Sequence, residues 1–469
     1  MKVSRRTFLA SAGGALAASA LSTGSCAQRE GISSRPPNIV FVYTDDQGQW
    51  AVGAYGNRDV FTPNMDRLAR EGALFTRAFV STPVCSPARA SVMTSLYSHQ
   101  TGIHDYIARS ETDLGLALRF TVLPQLLKHA GYTNALFGKW HLGVQKRYWP
   151  TNRGFDHFFG FLGGGNKPKD PVLWVEGKEQ KFSGFLTDIL TDHAIEWLRR
   201  NYRRPFTLWL HTRAPHKSYL PVPEEDMAPY REKDVQAPKV EGVPLEKVKQ
   251  ERRNYYASIT GVDRNLGKIL KELDRLGISG RTVVVFTSDN GYMIGQHGLE
   301  TKGNGWTLAT PRKRRPNMFD NSILVPLIIR WPGMIKPGTV INEMVAEIDF
   351  LPTFLDIVGA SVPDYMKPEG RSFLPLLRGE KPTWRDTIYG SYDMHHGAVA
   401  NMRMIRTEEW KLVRHFEPGV ADELYNLKDD PGELRNLHGK PETRAIEQEL
   451  VAKLAAWQRA TNDPLAPET

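Results

Sequence analysis

Polar side chains with catalytic or metal-binding chemistry follow four short apolar segments of the sequence, each where the apolar run ends. If these segments are parallel strands, their carboxyl ends meet at one edge of a sheet, where ligands of open α/β sheets bind. Carboxylate and amide oxygens suit Ca²⁺ or Mg²⁺ better than zinc. For any single pair the alternative is a turn after a strand, where Asp and Asn are common. In chain order the residues are Asp45 and Asp46, Lys139 and His141, His211 and His216, and Asp289 and Asn290.

The segment from Cys85 to Arg89 carries the sharpest local signal. Proline is favoured in the first turn of a helix, so Pro87 and the alanine-rich residues after it predict that Cys85 stands just before a helix N-terminus. Unpaired backbone N–H groups favour anions there, and Arg89, one turn later, would face the same pocket. The alternative from composition alone is a small buried cysteine beside a structural arginine.

Strands and helices must alternate along the chain to position these residues. Runs of β-branched and aromatic residues predict strands, and their almost entirely apolar character is typical of parallel strands covered on both faces. The sequence therefore predicts an α/β fold with a large mixed, mostly parallel sheet between helices. The predicted strands are 39–43, 133–137, 206–210, 283–286 and 327–330, and the predicted helices are 64–71, 122–130, 186–199 and 255–276.

The pattern changes after about residue 379. Short segments that are typical of antiparallel strands, at 387–392, 402–407 and 410–414, are followed by a predicted terminal helix at 442–460. We therefore expect a main domain over residues 37–379 and a small α+β C-terminal subdomain over residues 380–469.

Composition excludes several classes of protein. The 469 residues, 41% hydrophobic and 24% charged, exclude a disordered chain, and the absence of a Gly-x-y period excludes collagen. Two cysteines exclude a disulfide scaffold. The net charge of +9 suits anionic small molecules or polyanions. We expect no nucleic-acid partner, because the sequence has no basic stripe interleaved with aromatic residues.

The first residues are typical of an export signal. Positively charged residues precede a short apolar stretch at 8–21, and residues 4–9 resemble a twin-arginine signal. We therefore expect residues 1–27 to be an export signal and the mature chain to be periplasmic or extracellular, the alternative being an N-terminal amphipathic or membrane helix. Residues 21–26 faintly resemble a lipoprotein box, although the leucine lies too far from Cys26 for a good match. Lipid anchoring at Cys26 is therefore left open. No later run is apolar and long enough for a transmembrane segment.

The chain resembles the sulfatase family over essentially its whole mature length. Cys85-x-Pro87-x-Arg89 resembles the signature whose cysteine is oxidised to formylglycine after synthesis, and residues 131–141, ending in Gly138-Lys139-Trp140-His141, are similar to the second signature. Ala88 departs from the serine of many members, but the core of the signature is kept and modification is still expected. The remaining similar motifs are Asp45-Asp46, Pro215-His216, Ser288-Asp289-Asn290-Gly291, Gln296-His297-Gly298 with Lys302, Val325-Pro326, Glu423-Leu424-Tyr425-Asn426-Leu427 and Asp430-Pro431-Gly432-Glu433.

The resemblance implies a type I, formylglycine-dependent sulfatase of the alkaline phosphatase superfamily. It also explains why the main domain has a single cysteine. A thiolate that attacked a sulfate ester would form a stable S-sulfo adduct. An aldehyde hydrate has two hydroxyls on one carbon, so that one attacks sulfur and the other, once deprotonated, collapses to the aldehyde and expels sulfate. A maturation enzyme that converts Cys85 to formylglycine is therefore an implied partner.

The resemblance also implies a role for each site residue. One divalent ion, Ca²⁺ with Mg²⁺ as the alternative, would polarise the sulfate oxygens. Two residues would hold the hydrate and the ion site electrostatically, one would be the base for the second hydroxyl, and two would bind sulfate and protonate the leaving alcohol. The implied metal ligands are Asp45, Asp46, Asp289, Asn290 and the modified Cys85. Arg89 and Lys139 would hold the hydrate and the ion site, His141 would be the base, and His216 and Lys302 would bind sulfate and protonate the leaving alcohol.

The expected substrate is a sulfated carbohydrate, as a fragment of a sulfated polysaccharide. An export signal would place the protein outside the cytoplasm, where it encounters polysaccharides. The basic run 312–315 and the polar cluster 392–396 could recognise sugar hydroxyls and neighbouring anions, and we expect Arg314, Arg315 and His396 to bind substrate. The alternative is a solvated basic loop and a structural histidine pair.

Other functions stay open at this point. An arylsulfatase, or a phosphonate or phosphate monoester hydrolase of the same superfamily, would handle a substrate of similar tetrahedral geometry. Two-metal phosphatases need further His and Asp ligands, and the sequence has no clear second cluster of these. A non-catalytic sulfoglycan-binding protein would keep Cys85 unmodified.

Overall fold

β-strands build three sheets in the part of the chain that the structure describes. This computed structural model describes residues 36–310 and 313–468. The strands are β1 (Asn38–Asp45), β2 (Ala73–Phe79), β3 (Thr133–Lys139), β4 (His157–Phe161), β5 (Val172–Val175), β6 (Lys178–Lys181), β7 (Phe206–Pro215), β8 (Thr282–Ser288), β9 (Met293–Ile294), β10 (Leu299–Thr301), β11 (Trp306–Thr307), β12 (Leu324–Arg330), β13 (Thr339–Ile341), β14 (Val345–Ala346), β15 (Ile388–Met394), β16 (Ala400–Arg406), β17 (Trp410–His415) and β18 (Glu423–Asn426).

Helices lie between these strands and cover the largest sheet. They are α1 (Pro63–Glu71), α2 (Cys85–Thr94), α3 (Ser98–Thr101), α4 (Leu123–His129), α5 (Leu186–Asn201), α6 (Glu224–Met227), α7 (Leu245–Arg275), α8 (Asp320–Ile323), α9 (Phe350–Ile357), α10 (Leu374–Leu377) and α11 (Arg444–Ala460).

The largest sheet has the order β13-β2-β12-β8-β1-β7-β3-β4-β5-β6, and β14 pairs with β2. Its centre is parallel, from β8 through β1, β7 and β3 to β4. The predicted α/β fold with a mixed, mostly parallel sheet is confirmed. The segment 327–330, expected among the parallel strands, instead belongs to β12, which runs antiparallel to β8 and β2. Its apolar sequence reports burial on both faces, which does not determine direction.

Alternate residues of β1 point into two hydrophobic cores. Phe41 and Tyr43 belong to the core on one side of the sheet, and Val40 and Val42 to the core on the other. Successive side chains of a strand face opposite ways, so a strand covered by helices on both faces must be apolar throughout. The four strands that carry the polar residues are therefore held from both sides.

The predicted helices correspond to α1, α4, α5 and α7, but α7 begins at Leu245, earlier than residue 255. The extra turns are rich in charged residues, which hide the apolar stripe from a sequence pattern. Arg252 is nevertheless buried, with its guanidinium 4.6 Å from the centroid of the Trp50 ring and its Nη1 donating to the Gln236 carbonyl at 2.9 Å. Tertiary partners thus extend the helix beyond its recognisable pattern.

The C-terminal sheet is antiparallel, in the order β15-β16-β17-β18. The three antiparallel strands and the terminal helix predicted there are present, and β18 is an addition. Lys411 of β17 is buried and lies 2.5 Å from carboxylate oxygens of Asp320 and of Glu433. The described residues belong to one compact unit, and the boundary near residue 379 stays a prediction.

The predicted export signal at residues 1–27 and the lipid anchor at Cys26 lie outside the described residues. None of the helices in the described part of the chain combines the length and the apolar sequence that crossing a membrane requires.

Candidate active site

The ends of β1 and β8 bring the predicted acidic residues together. The two strands are parallel and in register up to their carboxyl ends, so the residues that follow them are neighbours. The backbone N–H of Asp46 donates to Asp289 Oδ1 at 3.1 Å, and Asn290 Nδ2 donates to Asp46 Oδ1 at 2.8 Å. Asp46 has a φ of 68°, in the left-handed region that residues other than glycine rarely adopt. Such backbone strain is typical of functional sites.

The end of β3 supplies a cation and a histidine. Lys139 Nζ lies 2.7 Å from Asp45 Oδ2, and both side chains are fully buried. Gly138 allows β3 to lie this close to β7, because a Cβ at this position would stand 1.9 Å from the His211 carbonyl oxygen. His141, two residues after the strand, is also left-handed, with a φ of 61°.

Cys85 is the first residue of α2, one position further into the helix than the sequence predicts. It is only 3% exposed, and its surface faces a cavity. Arg89, one turn later, donates from Nε and Nη2 to Asp289 Oδ2 at 3.0 and 2.7 Å. Lys302 Nζ donates to Cys85 Sγ at 3.1 Å and also bonds to Asp46 Oδ1. The predicted proximity of Cys85, Arg89 and the acidic residues is therefore present.

A cavity of about 720 Å³ opens above Cys85. Its lining includes Asp46, His141, His216 and Lys302, which the sequence places in the site. His216 Nε2 lies 3.7 Å from Asp46 Oδ2, and His141 Nε2 lies 3.0 Å from the Ile107 carbonyl oxygen. Residues from four separate strand ends thus surround one space large enough for a sugar-sized ligand.

The acidic residues fit a divalent cation. Ligand atoms of Asp45, Asp46 and Cys85 lie within 4.8 Å of one another. Among the described residues, Asp45 Oδ1 and Asn290 Oδ1 are buried without a hydrogen-bond partner. Buried oxygens are almost always paired, so these two are available to a cation at the ends of β1 and β8. The carboxylate and amide oxygens of these residues suit a hard cation.

Burial and neighbouring charges set the protonation of the site. Burial disfavours the ionised Asp45 carboxyl, but Lys139 and the other positive groups around it together outweigh burial and hold the pKa of Asp45 well below its usual range. Burial raises the pKa of the Cys85 thiol to about 11, so an unmodified Cys85 is a protonated, weakly nucleophilic thiol at neutral pH. Burial, reinforced by Lys139, lowers the pKa of His141 well below its usual value. A neutral imidazole is ready to accept a proton.

The residues predicted to bind substrate are not all in the cavity. Arg314 lines it, with its guanidinium 3.5 Å from the centroid of the Trp306 ring. Arg315 is exposed and stacks on Phe319 instead. His396 is not among the lining residues of the cavity, and its Nε2 lies 3.0 Å from Glu111 Oε2. Arg312 is outside the described residues.

Several residues of the cavity wall carry no sequence signal. They come from a loop at residues 106–109, from the glycines at residues 164–165, and from Lys217 and Tyr292. Loop residues follow no general periodicity, so nothing in the sequence distinguishes them from other surface positions.

Comparison with known proteins bears on the chemistry of this site. Residues 37–360 match the family model described as Sulfatase. Residues 313–460 match a model described as N-sulphoglucosamine sulphohydrolase, C-terminal. The chain is 30% identical to the N-acetylglucosamine-6-O-sulfatase of Bacteroides thetaiotaomicron, over 96% of this chain and 91% of that protein.

Solved structures agree with the fold. A protein in complex with its substrate D-glucosamine-2-N,6-O-disulfate is similar with a TM-score of 0.81 and 28% identity, over 92% of this chain and 99% of that one. A phosphonate monoester hydrolase of Agrobacterium radiobacter has a TM-score of 0.73 over 91% of this chain and 96% of its own. At 24% identity, the latter likeness shows the fold alone.

We expect Gly164→Ala to impair turnover of a small sulfate ester by about tenfold or more, because the new Cβ would stand 2.5 Å from the His141 ring and displace it. Gly163→Ala is the matched control, since its Cβ would meet no atom of the described chain within 4 Å. Kinetics and melting temperature of both variants check this. Equal activity of the two variants would mean that the position of His141 does not matter.

Proposed function

Because the chain belongs to the sulfatase family, whose members are sulfuric ester hydrolases, we propose that it hydrolyses sulfate esters on carbohydrates. The observation that carries the proposal is the cavity above Cys85, in which a buried cation, Lys302, touches the sulfur of the cysteine. The named relatives that support a sugar substrate act on N-acetylglucosamine and on a glucosamine disulfate. The phosphonate hydrolase alternative has support from the fold alone.

We propose that Cys85 works in its formylglycine form. The hydrated aldehyde would supply the attacking hydroxyl and a second hydroxyl that releases sulfate. The start of a helix and the Arg89 guanidinium surround this position with positive electrostatic potential, which suits an anionic substrate. Conversion requires a maturation enzyme, which is part of the proposal.

Asp45, Asp46, Asp289 and Asn290 would hold one Ca²⁺, with Mg²⁺ as the alternative, together with the modified Cys85. The ion would polarise the sulfate oxygens and lower the pKa of the hydroxyl beside it. Lys139 helps to keep Asp45 ionised. Arg89 holds Asp289 in place and partly offsets the burial and the Asp45 charge that raise the pKa of Asp289 to about 6.

The remaining residues bind the anion and move protons. His141, neutral through burial, would accept the proton of the second hydroxyl. Burial disfavours the charged form of Lys302, but Asp46 and the other acidic groups around it together raise its pKa well above the usual value, so Lys302 remains a cation. Burial lowers the pKa of His216. A bound sulfate would favour its protonated form, which could then protonate the leaving alcohol.

Recognition of the sugar is proposed for Arg314, which lines the cavity. Its guanidinium is held between Trp306 and the Asn304 carbonyl, which accepts from Nη1 at 2.8 Å. His396 contacts Tyr106 of the cavity wall, with ring centroids 4.5 Å apart, and Arg315 lies further out. These two would reach only a substrate that extends beyond the cavity. Export to the periplasm or beyond, where such polymers are met, completes the proposal.

The nucleophile is tested by the mass and activity of Cys85 variants. Purified active protein should be lighter than its sequence by about 18 Da, since oxygen replaces sulfur and two hydrogens are lost. Cys85→Ala should abolish turnover without unfolding the protein, and Cys85→Ser should be inactive unless the host's maturation enzyme accepts serine. Substantial activity in Cys85→Ala protein would disprove the mechanism.

The metal is tested by elemental analysis. We expect about one Ca²⁺ or Mg²⁺ per chain, and Asp289→Ala should weaken binding by about tenfold to a hundredfold, because it removes an anionic ligand and frees Arg89. Asp289→Asn, which keeps the oxygen, is the matched control and should retain more metal. Chelation should remove metal and activity together, and readdition should restore both. A pair of zinc ions would favour a two-metal phosphatase instead.

The substrate class is tested with 6-sulfated N-acetylglucosamine, N-acetylgalactosamine and galactose, set against 4-nitrophenyl sulfate and phenylphosphonate. A sulfated sugar should have the highest kcat/KM. Arg314→Ala should lower kcat/KM on that sugar by about tenfold and on 4-nitrophenyl sulfate by less than about twofold. Lys313→Ala, in the same basic run but outside the cavity wall, is the control. Preference for the phosphonate would overturn the proposed function.

A further inference from the structure

A second cavity, of about 640 Å³, continues from the one above Cys85. The two share residues 107–109, His141 and residues 164–165 as a common wall. His141 therefore lies on the ridge between them. A ligand bound above Cys85 would reach the second cavity by crossing this ridge.

Trp174 lines the second cavity and packs against a second tryptophan. Val172 and Trp174 alternate along β5 and so lie on one face of the β5–β6 hairpin, with Glu179 directly opposite Trp174. The Trp149 ring packs edge-on against Trp174, with centroids 4.7 Å apart, and its Nε1 donates to the Val144 carbonyl at 2.8 Å. Trp174 is therefore a half-buried ring that is supported by Trp149 and lines the cavity. Such a ring suits stacking on a sugar ring.

Polar and charged groups also line this cavity. Asn166 Nδ2 donates to the Val172 carbonyl at 2.7 Å and fastens the loop to the hairpin. Lys167 beside it and Arg109 on the shared wall are exposed cations that line the cavity, against the single carboxylate of Glu179. The excess of positive charge favours a sugar that carries a sulfate or a carboxylate.

We propose that the second cavity binds the sugar unit adjacent to the one whose sulfate is cleaved, and that the substrate is therefore an anionic oligosaccharide rather than a monosaccharide. Trp174 stacks on the ring of this adjacent unit, and Lys167 and Arg109 pair with its anionic group. This inference rests on the proposed function and adds the length and charge of the substrate to it.

The test compares matched pairs of substrates on the mature enzyme. Each 6-sulfated monosaccharide of the panel is paired with a tetrasaccharide that contains it next to a hexuronic acid, and 4-nitrophenyl sulfate is included. We expect kcat/KM to be about tenfold higher for the tetrasaccharide of the preferred pair. Trp174→Ala and Lys167→Ala should each lower it by about threefold to tenfold on the tetrasaccharide and leave the monosaccharide and 4-nitrophenyl sulfate unchanged.

Lys178→Ala is the matched control, because Lys178 lies on the same hairpin opposite Val175, on the other face from Trp174. If Trp174→Ala does not fold, the exposed Lys167 decides the question. Equal kcat/KM for both members of every pair, or equal loss on both in the variants, would overturn the inference and leave the proposed function intact. Turnover of 4-nitrophenyl sulfate with no turnover of any sulfated sugar would overturn the proposed function itself, and the inference with it.

Discussion

The pairing of three buried carboxylates with three buried cations is the constraint on which the rest of the structure depends. A charged group removed from water is stable only when it is paired and hydrogen-bonded, and loss of one partner of a buried pair costs about 3–5 kcal/mol. Each carboxylate follows a strand of the central sheet, and each cation comes from a different element, so the site and the fold hold each other in place. The pairs are Asp45 with Lys139, Asp289 with Arg89, and Asp46 with Lys302.

The charges of these three pairs cancel one another, and this balance indicates which charged ligands the site can accommodate. A divalent cation alone would leave an excess of positive charge at the strand ends, and a sulfate alone would meet Asp46. The two together would approach neutrality, so the proposed metal and the sulfate would favour each other. An unmodified Cys85 adds no charge to this balance, since burial raises the pKa of its thiol to about 11.

The central sheet and the core of the site could be predicted because both depend on strong local signals. Asp45 and Asp289 end apolar runs, and Cys85 precedes a proline at a helix start. The direction of β12 could not be predicted, because burial on both faces looks the same in either direction. Nor could the choice among the basic residues of the run 312–315 be predicted. Arg314 is held at the cavity by Trp306 and by the Asn304 carbonyl, and no local pattern encodes these contacts.

The loops that carry recognition are nevertheless tied to the strands that carry the chemistry. β3 and β4 pair as far as Lys139 and Phe161, and the pairing continues past the strands, since the backbone N–H of His141 donates to the Leu162 carbonyl at 3.0 Å. The glycine loop that separates the two cavities starts directly after this bond. Gly164 lies against the His141 ring, where a side chain would collide with it. The wall proposed to face the sugar is therefore positioned by the same strand register that places His141. Variable loops can in this way change the substrate while the chemistry stays fixed.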